Sequence, residues 1–259
     1  MSVCDHAALA PTASDHGRSL SSVGRADRET YGTVGNVKTE LKEPVVSAVE
    51  PKPTWRGWLH TGMTPLALVG GLALLILTPT VGGRAAAAVY LLASLALFGN
   101  SAVYHRGTWS DRVRAVLRRV DHANIFVFIA GTYTPIAVQL LSGTSRAVLL
   151  ALIWGIALAG VAFRVFWLGA PRWLYTALYV VMGWVAMFWL VQFWTAGGPL
   201  VVALIVAGGL IYSYGALVYG RKRPNPAPAV FGYHEIFHAC TIAAAAAHYA
   251  AICVATFAR

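Results

Sequence analysis

Apolar residues run in long blocks along this chain rather than alternating with polar ones. Seven blocks stand out, at residues 61–79, 84–104, 123–141, 147–167, 173–194, 199–219 and 230–257. Each is close to the ~20 residues a helix needs to cross a ~30 Å hydrocarbon core. Glycine-containing breaks separate several of them: Gly82-Gly83, Ser142-Gly143 and Gly197-Gly198-Pro199. Tryptophans crowd the block ends (Trp55, Trp58, Trp109, Trp167, Trp173, Trp194), as in an interfacial aromatic belt. The pattern predicts an all-α integral membrane protein, a seven-transmembrane-helix bundle occupying residues 56–259. Pro135 is expected to kink the third span and open room inside the bundle.

Residues 1–55 read differently. They are polar, carry charge of both signs and end in Pro44, Pro51 and Pro53. No apolar run of secretory type occurs in them. The expectation is a disordered cytoplasmic tail.

The charges sharpen this picture. Ten acidic residues occur in 259, and seven of them precede residue 51, leaving Asp111, Asp121 and Glu235 for the rest. No water-soluble surface can be built from three acids over that length, whereas a lipid-facing one can. The net charge of +10 does not indicate nucleic acid, because Lys and Arg fall in short clusters between apolar blocks. Anionic lipid headgroups are the fitting partner for such clusters. Counted on alternate sides of seven spans, seventeen Lys and Arg share the side of the amino terminus and three lie opposite. The amino terminus is therefore expected in the cytoplasm of a multi-pass inner-membrane protein. Cys4, Cys240 and Cys253 have no paired spacing and give no disulfide framework.

The candidate chemistry sits at block ends. The second block closes with Ser101-Ala-Val-Tyr-His105, the third opens at Asp121-His122-Ala-Asn124, and the seventh contains His234-Glu-Ile-Phe-His238. On the expected topology all three share the cytoplasmic membrane depth. Ser101 with His105, and His234 with His238, are four apart and share a helix face. Two imidazoles one turn apart can reach one metal ion, and His105 can complete a three-imidazole site with one position open for chemistry. Neutral imidazole suits zinc, and such a metal makes a nucleophile of water near neutral pH. Asp121 has three readings: fourth ligand, general base, or N-cap of the third span. Ser101 can orient water or donate to a substrate carbonyl. The competing reading of the His pair is as interfacial histidines. Glu235, about 100° from His234 around a helix, is expected to meet the basic residues of the loops. His60 and His122 are spare ligands at most. His248, ~15 Å beyond His238 along a helix, is too far for the same metal and is either packed or cavity-lining.

These segments, with Gly131-Thr-Tyr-Thr-Pro135, Pro171-Arg172-Trp173 and Met182-Gly183-Trp184, resemble the hemolysin III family, the bacterial branch of the progestin and adiponectin receptor (PAQR) proteins. The resemblance covers residue 56 onward. It implies a seven-helix bundle with a cytoplasmic amino terminus. It also implies a zinc ion on His105, His234 and His238, with Asp121 on the zinc-bound water and Ser101 beside it. Similarity to alkaline ceramidases in the wider superfamily implies a zinc-dependent hydrolase with a lipid amide substrate, acting in membrane lipid homeostasis. Cytolysis by a pore, which the family name implies, and a non-enzymatic membrane sensor or receptor are the alternatives. The nearly uncharged outer halves of the spans argue against a charged ion pathway.

Overall fold

The computed structural model describes residues 52–167 and 169–258. Most of the expected tail lies outside the described residues. Among those residues the fold is helical, with one isolated bridge between Ala227 and Phe231 and no strand. The helices are α1 (Trp58–Leu77), α2 (Val81–Arg106), α3 (Asp111–Leu140), α4 (Gly143–Phe166), α5 (Arg172–Gly183), α6 (Leu190–Arg221) and α7 (Tyr233–Phe257). A 3-10 segment, Trp184–Trp189, links α5 to α6.

Six helical stretches are long and apolar enough to cross a membrane. Four are α1 to α4 and one is α7. The remaining one is the 50-residue run Arg172–Arg221, which contains both the fifth and the sixth expected spans. Its backbone leaves helical geometry at Gly198 (φ 80, ψ 177), immediately before Pro199. A positive φ there suits glycine alone among common residues, and the following proline lacks the N–H that would continue the ladder. α3, by contrast, continues through Pro135 with no non-helical residue recorded inside it.

Consecutive helices from α1 to α4 pack side by side, as do α6 and α7. α7 also touches α1 and α3, which joins the last helix to the first. α3 lies at the centre: 67% of its apolar window is buried, against 22% for α1. Its buried Phe126, Phe128, Ala130, Ile136 and Ala137 belong to one core with Leu97 and Phe98 of α2, Leu149 and Ile153 of α4, and Ile252 of α7. Large side chains that face outward, such as Leu66, Ile76, Phe166 and Phe188, are what a lipid-facing surface requires.

The first three turns of α3 hold Arg112, Arg114, Arg118 and Arg119, which the sequence pattern places in a loop. Asp111 pairs with Arg114 there. α3 begins at Asp111 with Ser110 as its N-cap, so Asp121 lies ten residues inside the helix and does not cap it. Arg164, near the end of the fourth apolar block, lies inside α4 and is 1% exposed.

Candidate metal centre

α2 ends at Arg106, one residue after His105, so its last full turn presents Ser101 and His105 on one face. α3 brings Asp121 against them, and α7 brings His234 and His238. The start of α7 is fixed by Glu235. This buried carboxylate accepts from the Gly232 N–H at 2.9 Å and from Arg56 Nε at 2.6 Å. The first contact satisfies a helix-terminal donor that has no partner within the helix. The second ties the segment before α1 to the start of α7. Glu235 thus meets a basic residue, but one from the segment before α1 and not from a loop between spans.

Within this frame His105, His234 and His238 form a group whose candidate ligand atoms all lie within 4.8 Å of one another. His105 Nε2 and His234 Nε2 are 3.2 Å apart. Two nitrogens bound tetrahedrally at 2.0–2.1 Å from zinc lie roughly 3.3 Å apart, so the spacing already fits such an ion. His105 and His238 are buried and His234 is partly buried. Three convergent imidazoles in such a setting can hold a metal ion. Asp121 Oδ2 stands 3.9 Å from His105 Nε2, and Ser101 borders the same cavity as Asp121. The five residues singled out in the sequence, from three remote segments, therefore occupy one site.

The other histidines divide cleanly. His60, 3% exposed, stacks parallel on His238 with ring centres 3.9 Å apart and lies outside the ligand group. His122 is engaged elsewhere: Arg164 Nη2 donates to its Nδ1 at 2.6 Å, and Tyr179 donates to its backbone carbonyl. The Arg164 guanidinium lies over the Tyr175 ring, 4.4 Å from its centre. Among the described residues Arg164 has no carboxylate partner. Sequence reasoning missed this residue. The available signal was an arginine three positions before the end of an apolar block, where an intramembrane charge is a functional candidate.

The cluster opens into a cavity of about 110 Å³. Ser101, Asp121, His234 and His238 line one end. Beyond them the walls are largely apolar, with Leu97, Ile125, Phe128, Ile129, Val180 and Phe237, and the far end reaches His248.

The family model described as "Haemolysin-III related" matches residues 49–249, which include every residue of this site. The chain belongs to the haemolysin-III-related family. Relatives include the hemolysin-3 homolog of Bacillus subtilis (strain 168), 30% identical over 159 residues that cover 61% of this chain and 71% of the relative. Hemolysin-3 of Bacillus cereus is 32% identical over 165 residues, covering 61% and 74%. Membership fits a multi-pass membrane protein, as do the six apolar helical stretches.

Proposed function

We propose that this haemolysin-III-related chain is a zinc-dependent hydrolase of lipid amides, with its metal centre near the cytoplasmic face of a seven-span bundle. The observation that carries the reading is the three-imidazole group at the head of an apolar chamber. His105, His234 and His238 would hold the ion. Zinc, when bound, supplies Lewis-acid polarisation and makes water acidic enough to act as a nucleophile near neutral pH. Asp121 Oδ2 takes the proton of the attacking water and returns it to the departing amine nitrogen. Ser101, which borders the same cavity as Asp121, keeps that carboxylate aimed. The apolar walls receive the acyl chain and exclude competing water.

Seven spans follow if the 50-residue run crosses twice. At 1.5 Å per residue it measures about 75 Å, far beyond a ~30 Å core. The break at Gly198 supports a turn there. With seven spans, the Lys and Arg asymmetry supports a cytoplasmic amino terminus and a cytoplasmic metal end in an inner-membrane protein.

The test is metal content by mass spectrometry on purified protein, wild type beside folded His234→Ala/His238→Ala, followed by turnover of ceramides and simpler acyl amides. Zinc near one per chain in wild type, with amide cleavage that Asp121→Asn abolishes, supports the reading. Metal-free protein from chelator-free preparations would sink it. The names of the Bacillus relatives carry a second reading, lysis of membranes. Dye leakage from liposomes that His105→Ala leaves untouched would favour it.

A further inference from the structure

About 15 Å along α7 from His238, ten residues on, the chamber meets a second polar belt at His248. A smaller adjoining cavity of about 30 Å³ shares His248, Tyr133, Trp184 and Gly209 with the first, so the belt is a waist between two lobes. Polar groups deep in a membrane bundle need partners. Most at the waist have them. Tyr133 Oη donates to the Gly183 carbonyl and accepts from the Ala186 N–H, each at 2.7 Å. Trp184 Nε1 donates to Ser213 Oγ at 2.9 Å, and Ser213 donates to the Gly209 carbonyl.

Two groups stand apart. Tyr212 is among the chamber-lining residues, and its hydroxyl is buried with no hydrogen-bond partner among the described residues. His248 Nε2 lies 3.1 Å from the Ile205 carbonyl. A carbonyl only accepts, so Nε2 carries the proton and Nδ1 of the neutral ring is an acceptor. The two rings are neighbours, 5.6 Å between centres. His248 reaches this position because residue 208 is glycine; a methyl group there would overlap the imidazole.

A hydroxyl is the simplest ligand group that donates to one neighbour and accepts from another. We infer that Tyr212 and His248 form a binding site for a hydroxyl carried on the ligand's hydrocarbon chain, about 15 Å from its head. The ligand class is a mid-chain hydroxylated lipid. This rests on the reading of the cavity as a lipid chamber and is independent of whether amide cleavage occurs.

The experiment measures binding of 12-hydroxystearate, 2-hydroxystearate and stearate to the full-length protein in nanodiscs, acids that the proposed reaction does not consume. The expected result is a gain of about 5-fold for 12-hydroxystearate over stearate, the net of two hydrogen bonds made against the desolvation of the ligand's hydroxyl. No gain is expected for 2-hydroxystearate, whose hydroxyl stays at the head. Tyr212→Phe should erase the gain and leave stearate affinity unchanged, which also shows that the variant is folded. Equal affinity of all three acids in wild type overturns the site and leaves the chamber standing. A gain that survives Tyr212→Phe also overturns it. Failure of every acid to bind overturns the site and the lipid chamber together.

Discussion

The two ends of the chamber solve the burial of polar groups in opposite ways. At the metal end, side chains from α2, α3 and α7 face one another: three imidazoles, a carboxylate and a hydroxyl. At the waist, nearly every polar side chain is satisfied by a neighbouring main chain or a single side chain. Mutual satisfaction among side chains leaves capacity that a metal can take. Satisfaction by backbone uses that capacity up, and only Tyr212 and one face of His248 remain for a visitor. Substitutions at the first end should therefore abolish a property, and those at the second should tune one.

The strongest way to break this contrast is His234→Ala/His238→Ala. One imidazole is left, and bound metal should fall to background by mass spectrometry while the helical circular dichroism persists. Next in size is Asp121→Asn, which should retain the metal and lower amide turnover by about 10²–10⁴, the usual worth of a general base. If Asp121→Asn loses the metal too, the carboxylate is a ligand. Arg56→Ala tests the frame rather than the chemistry. It leaves Glu235 buried without its cation, and should cost about 2–3 kcal/mol in thermal unfolding, reduced from a fully buried pair because the Arg56 side chain is 25% exposed. Gly208→Ala should cost about 1–3 kcal/mol by forcing the His248 ring aside, with metal content unchanged. Smallest of all, Tyr212→Phe should leave thermal stability within about 1 kcal/mol of wild type, or raise it, because the hydroxyl removed has no partner to lose.

The metal end was legible in the sequence because its geometry is short-range. A four-residue spacing on a helix dictates a shared face, and apolar blocks of fixed length bring block ends to one depth. Spacing and block ends pointed to Ser101, His105, Asp121, His234 and His238 with alternatives open, and the family resemblance singled out the same five. Asp121 as an N-cap failed because hydropathy marks where lipid begins, not where a helix begins. The exposed, arginine-rich turns of α3 are helical without being apolar. Arg164 and His122 were missed as a pair because their contact joins α4 to α3 across 42 residues, and no periodicity encodes it. α3 remains one helix through Pro135, and the break that hydropathy did mark, between the fifth and sixth blocks, is a single residue out of helical geometry at Gly198, before Pro199. The Arg56–Glu235 tie was half visible. A buried acid needs a partner, but only the fold says that it comes from 179 residues away.

That tie has a consequence for the order in which the protein can come into being. Synthesis delivers α1 first and α7 last, yet Glu235 clasps the segment ahead of α1, and two of the three imidazoles ride on α7. A chain halted at Arg221 possesses Ser101, His105 and Asp121 but lacks both α7 histidines. Until its final helix arrives the nascent protein thus lacks the imidazole trio, and the same helix brings both the Glu235 tie and two of the three imidazoles.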